Sequence, residues 1–102
     1  MTVARIDSLQ VAPERIDEMI SRYRERDNLR HMHLQTQGLL HQYWLVDRHS
    51  GQIKIIGLWE SQEDIDAAIP TLEPARERLW SEFQEALQET PTLEVYEVAD
   101  RF

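Results

Sequence analysis

The chain contains no cysteine. Disulfides, thiolate nucleophiles and cysteine-based zinc sites are therefore excluded. It has no apolar run long enough to span a bilayer, so no membrane partner is expected. Met1 to Gln10 lacks the charged-then-apolar order of a secretory leader, which makes the cytoplasm the default location. Positive charge is scarce. Eleven Lys and Arg face nineteen Asp and Glu, leaving a net charge of −8. Such a surface repels phosphate backbones, so nucleic acid is not an expected partner. Internal repeats, low-complexity tracts and linkers are also missing, and 102 residues read as a single domain, 1–102. The 41 % hydrophobic and 29 % charged content belongs to a folded globule and not to a disordered chain.

What is present is organised around Gly38 to Ser61. An apolar, aromatic run (Leu39 to Val46) meets the polar turn Asp47-Arg48-His49-Ser50-Gly51. A second run, Ile53 to Trp59, stops at Glu60-Ser61. This is the pattern of a β-hairpin followed at once by a helix, with Ser61 as cap and Asp64 three residues on. If the turn holds an even number of residues, Trp44, Trp59, Ile55, Leu40 and Val46 share one face. His41, Tyr43, Ile56 and Leu58 then share the other; an odd turn reverses the pairing.

Before the hairpin, Thr2 to Val11 alternates as a strand, with Val3, Arg5, Asp7 and Leu9 on one face. Pro13 suits a first helical position, and Ile16, Met19, Ile20 and Tyr23 form a core-facing stripe, predicting helix to near Leu34. After the hairpin, a short helix is expected over Gln62 to Ile69, stopped by Pro70. Pro74 opens another, with Ala75, Leu79, Trp80, Phe83 and Leu87 as its buried stripe and Thr90-Pro91 as its end. Leu93 to Ala99 reads as the last strand. The order β-α-β-β-α-α-β, with the two short helices as one layer, is an α+β split βαβ fold: a four-stranded antiparallel sheet with helices on one face. The other face keeps large apolar residues, and a chain this short has nothing left to cover them. A homodimer packed sheet against sheet is therefore expected.

Gly38…Asp47, Ser50-Gly51 and Ile56-x-x-Trp59-Glu60-Ser61, followed by a Glu-Asp helix start, resemble the antibiotic biosynthesis monooxygenase family over nearly the whole chain. The resemblance implies a ferredoxin-like, dimeric α/β barrel. It also implies a small-molecule aromatic or polyketide-like substrate and, for some members, oxygenation without a cofactor. Other members degrade haem, using an asparagine, a tryptophan and a histidine whose positions resemble Asp7, Ala68 and Arg78 here. No histidine follows His49, so that activity is not expected.

A cofactor-free oxygenase needs a base, hydrogen bonds for the substrate anion and a dry pocket. Asp7 and His41 are the candidate catalytic groups. Burial would raise the Asp7 carboxyl, and imidazole titrates near neutrality. The plain alternatives are a carboxylate paired with Arg5 or a helix residue, and an edge histidine. Tyr43, Trp44, Trp59, Trp80 and Phe83 are candidate substrate contacts, and equally candidate core or scaffold. No metal ligand set is expected. His31 and His33, if helical, diverge by roughly 200°. Arg22, Arg24, Arg26 and Arg30 with His31 and His33 read as a solvated helix face offset by neighbouring acids, or as a docking patch for an anion. A non-oxidative isomerase or cyclase, or a non-catalytic binding or stress-associated dimer, would use the same fold.

Overall fold

The computed structural model describes residues 1–25 and 29–101. Strand β1 (Val3–Gln10) is followed by a 3-10 turn at Pro13–Arg15 and helices α1 (Ile16–Arg24) and α2 (Leu29–Leu34). The hairpin strands are β2 (Leu39–Asp47) and β3 (Gln52–Trp59). Helix α3 (Gln62–Glu82), a 3-10 turn at Gln84–Ala86 and β4 (Thr92–Glu97) complete the chain. The sheet order is β2-β3-β1-β4 with every pair antiparallel, which is the ferredoxin-like α+β arrangement expected.

The hairpin loop holds four residues, Arg48 to Gly51, between the paired Asp47 and Gln52. The count is even, so Trp44 sits opposite Ile55, and Tyr43 opposite Ile56. Leu40 departs from the expected register. A bulge lies between Leu39 and His41, so Leu39 takes the place opposite Trp59, and Leu40 is left 37 % exposed. The loop is closed by Asp47, whose Oδ1 accepts from the backbone N–H groups of His49 and Ser50.

Four helical boundaries differ from expectation, one of them the end of α3, which comes at Glu82 and not at Thr90-Pro91. Pro70 does not stop a helix and Pro74 does not open one; both lie inside α3. Both face solvent. The carbonyls of Asp66 and Pro70, which lose their helical partners, can be solvated there, and the buried stripe Ile65, Leu72, Ala75 and Leu79 holds the helix on the sheet. The expected single helix to Leu34 is two helices, because the backbone turns extended at Glu25 (φ −60°, ψ 144°). Arg26 of the basic cluster lies outside the described residues. Leu87 lies beyond α3, where it bridges to Val11. Ser61 caps α3 as expected: its Oγ accepts from the Asp64 N–H at 3.1 Å and donates to the Asp64 carboxylate at 3.0 Å.

The odd residues of β1 and β3 point towards the helices. Leu9, Ile53, Ile55 and Trp59 pack there with Ile16, Met19, Leu79 and Phe83 into one core. The opposite face carries Ile6, Tyr43, Leu45, Ile56, Leu58 and Tyr96. Tyr43, Leu45 and Tyr96 are each about half exposed. No helix among the described residues is long and apolar enough to cross a membrane.

Candidate functional site

Alternation on β1 puts an arginine and an aspartate on the same face as the core leucine and valine. Arg5 and Asp7 are both only 8 % exposed. Helix α3 presents Leu72, Arg76 and Trp80, four residues apart along one ridge, against this spot. The Asp7 carboxylate lies between two guanidiniums: Arg76 Nη2 stands 3.2 Å from Oδ1, and Arg5 Nε stands 3.6 Å from Oδ2. Glu73, more exposed, closes the outer side, 3.7 Å from Arg5 and 3.6 Å from Arg76. Burial dominates at Asp7 and lifts its carboxyl to about 6; the Arg5 charge opposes this and Glu73 reinforces it.

A second group borders the same pocket. The Tyr23 hydroxyl of α1 lies 2.7 Å from His33 Nδ1 of α2, and the Gln42 amide of β2 donates to the hydroxyl at 2.6 Å. Burial, aided by the Arg5 charge, lowers His33 to about 4. Burial likewise lifts Tyr23 to about 12. The neutral His33 tautomer that carries its hydrogen on Nε2 can accept a hydrogen bond from the Tyr23 hydroxyl at Nδ1. Tyr23 leans on Trp44 (ring centroids 4.6 Å apart), and Trp44 on Trp80 (6.4 Å), forming an aromatic wall.

The pocket bounded by these groups is a cavity of about 20 Å³. That is room for one water. Five of its buried N–H positions have no hydrogen-bond partner: Arg5 Nε, Arg76 Nε and Nη1, Trp44 Nε1 and Trp80 Nε1. All are donors.

Asp7, Trp44, Trp59 and Trp80 of the expected site meet at this pocket. His41 and Tyr43 do not. Their rings stack on each other (6.2 Å) on the opposite face of the sheet, both exposed. Phe83 is 2 % exposed in the core beneath the Arg15 guanidinium and does not line the pocket. Neither Ala68 nor Arg78 reaches it. His31 is exposed on α2 while His33 is directed inward, and no group of three metal-ligating side chains occurs among the described residues. In the basic cluster, Arg22 pairs with Glu25 and Glu82.

Sequence reasoning overlooked Arg5, Arg76, Tyr23, His33 and Gln42 as members of one site. For Arg5 a signal existed, since two charged residues on an apolar strand face need a shared reason to be buried. For Arg76 the signal is its phase with Leu72 and Trp80. Tyr23, His33 and Gln42 have no common local signal, because they meet only across three elements.

Asp7 and His33 set opposing pH slopes on stability. Asp7 holds its proton to about 6 when folded, against an ordinary 3.8. Its favourable contribution is complete below 3.8 and is lost as pH rises to about 6. His33 binds a proton only near 4 when folded, against 6.5. Its contribution is complete above 6.5 and is lost as pH falls towards 4. The two offset each other between about pH 4 and 6. Denaturant titrations are expected to give a nearly flat wild-type profile there. Asp7→Asn should lose stability on acidification and His33→Gln should gain it, each by at most about 1.4 kcal/mol per pH unit. Three parallel profiles would refute these assignments.

No protein-family model matches the chain, and no curated protein matches it in sequence. Its likeness to solved structures is clear. The monooxygenase from the gene ActVA-Orf6 of Streptomyces coelicolor, solved with the ligand nanaomycin D, superposes with a TM-score of 0.78 at 14% identity, over 98% of this chain and 89% of that one. SnoaB, a cofactor-independent oxygenase from Streptomyces nogalater, gives 0.70 at 13% identity, over 98% and 95%. A protein described as an antibiotic biosynthesis monooxygenase gives 0.73 at 21% identity, over 96% and 99%. At these identities the shared property is the backbone, and this chain has the ferredoxin-like fold of the antibiotic biosynthesis monooxygenases.

Proposed function

We propose that the protein is a cofactor-independent monooxygenase of an aromatic, enolisable small molecule, with Asp7 as its base. The observation that carries this reading is the Asp7 carboxylate, buried between Arg5 and Arg76 and lifted to about 6 beside an aromatic wall. A base in that range is mostly ionised at neutral pH and still strong enough to remove an activated proton. The guanidiniums stand where the resulting oxyanion gains most. The anion passes one electron to O2, and the radical and superoxide join as a carbon-bound peroxide. Asp7 returns its proton to the peroxide. Loss of the remaining C–H proton, as the O–O bond breaks, leaves a carbonyl and water. In balance, a substrate methylene and one O2 become a ketone and one water. The methylene carbon loses four electrons and O2 gains them, one oxygen atom ending in the carbonyl and the other in the water.

A cavity of about 20 Å³ admits no ring until the aromatic wall opens. Trp80 is only half-buried, and its turning outward is the movement this reading requires. The same small volume favours the rival reading, in which Trp44 and Trp80 are simply core. Oxygen-electrode assays with anthrones and hydroquinones decide between them. Uptake of one O2 per ketone formed, above the protein-free rate, is expected. No uptake with any of the panel would overturn the oxygenase reading.

We also propose that the protein is a homodimer packed through the sheet face that carries Tyr43, Ile56, Leu58 and Tyr96. These residues form an apolar surface that no element among the described residues covers. Sedimentation at tens of micromolar is expected to give twice the 12.1 kDa chain mass. Ile56→Asp should give a folded monomer. A monomeric wild-type protein at that concentration would refute the dimer.

A further inference from the structure

The donors in the pocket outnumber the acceptors, and this imbalance has a chemical meaning. Five buried N–H positions lack a hydrogen bond of good geometry, although Trp44 lies against the Tyr23 hydroxyl and Arg76 Nη1 stands 3.6 Å from Glu73; no buried side-chain acceptor among the described residues is in the same state. One water accepts about two hydrogen bonds and cannot satisfy five. Arg5, nine-tenths buried, gives Nε only a 3.6 Å ion pair with Asp7. Arg76 has two further nitrogens without hydrogen bonds. Leaving such donors unmade is costly, so the site is built for a group that only accepts.

We propose that the pocket binds the anionic oxygens of an aromatic ligand (a carboxylate or an enolate) on Arg5 and Arg76, and that Asp7 takes up one proton as it does so. The inference rests on reading this pocket as the ligand site, but not on oxygen chemistry. The two guanidiniums serve one buried carboxylate now. A second anion beside Asp7 would place like charges on the same clamp, and one of them must be neutralised. The other groups facing Asp7 do not supply that proton. His33 of α2, already neutral above about 4, and Tyr23 of α1, protonated to about 12, hold their states across neutral pH. Glu73 of α3 is on the outer side, 37 % exposed. Strands β2 and β3 contribute Gln42, Trp44, Ile55 and Trp59, and β4 pairs Leu93 with Asp7; none of these titrates. A neutral enolisable substrate would bring the proton itself and reach the same state: anion on the arginines, protonated Asp7.

The test is calorimetric binding of 2-naphthoate and of its neutral isostere 2-naphthamide, from pH 5 to 8. Naphthoate is expected to bind at least tenfold tighter at pH 5. Its affinity should weaken by up to tenfold per pH unit above about 6, the signature of one linked proton, while naphthamide stays flat. At pH 7, titrations in buffers of different ionisation enthalpy should show close to one proton taken up per naphthoate. Asp7→Asn, nearly isosteric, should remove the pH dependence and hold naphthoate at pH 8 as tightly as the wild type does at pH 5. Arg76→Lys keeps the charge, loses the fork, and should weaken naphthoate more than naphthamide. Equal affinity for the two probes at pH 5, no binding of either, or a flat naphthoate profile would overturn the proposal. Naphthoate binding without O2 uptake from anthrones would overturn the oxygenase reading and leave this one standing; O2 uptake with equal probe affinities would do the reverse.

Discussion

Asp7→Asn is expected to lower O2 uptake by about 10²–10⁴-fold, the range for losing a positioned general base. Asparagine keeps the shape of the side chain and removes the charge and the basic oxygen. Nothing nearby can replace it. His33 is held near 4 and engaged at Nδ1 by Tyr23, so it is a weak base directed elsewhere. Tyr23 stays protonated to about 12. Glu73 is on the outer side of both arginines. The rate should fall through the chemical step, with kcat reduced and KM for a neutral substrate little changed. Single-turnover oxygen consumption by a folded variant, verified by circular dichroism and sedimentation, measures this. Turnover within threefold of wild type would remove Asp7 from the mechanism.

The second large effect concerns stability and arises far from the pocket. Gly51→Ala is expected to cost about 3 kcal/mol, combining a left-handed backbone penalty with a broken strand connection. Gly51 has φ +83°, and an added Cβ would stand 1.9 Å from the Val11 carbonyl oxygen. That oxygen belongs to backbone in a fully buried residue and cannot turn aside. The Val11 N–H donates to the Gly51 carbonyl at 3.0 Å, and the Gly51 N–H closes the hairpin loop on Asp47 at 2.9 Å. Moving the loop to admit a methyl group disturbs both. For a domain of this size the loss lowers Tm on the order of 15 °C. Gly38→Ala is the companion case: its backbone has φ +87°, and its Cβ would stand 2.4–2.6 Å from Cγ, Cβ and Oδ2 of Asp64, which Ser61 holds in the first turn of α3. It too should cost more than its backbone penalty of about 1–2 kcal/mol, because the start of α3 must shift. A Gly51→Ala protein melting within a few degrees of wild type would show that the loop accommodates the methyl group.

Several features were legible without coordinates because they depend on near neighbours. Alternation over Val3 to Leu9 placed Arg5 and Asp7 on one strand face. The turn residues Asp47 to Gly51 marked the hairpin, and Ser61 marked the start of α3. Sequence alone left the facing of the hairpin open between an even and an odd loop; the four-residue loop of the structure placed Trp44 and Trp59 on one face and His41 and Tyr43 on the other. Periodicity of 2 or 3.6 residues is a local property, and so is a cap or a turn.

Only the tertiary structure decided which sheet face the helices cover, and therefore that Asp7 is buried while His41 faces outward. It alone carried α3 through Pro70 and Pro74, since burial of Leu72, Ala75 and Leu79 outweighs the lost helical bonds. It brought Tyr23, His33 and Gln42 together from three elements, and Arg76 onto Asp7 from 69 positions away in sequence. Sequence by itself determined the two faces of each element. Packing determined which face is dry, and burial there lifts the Asp7 carboxyl to about 6 against the pull of Arg5.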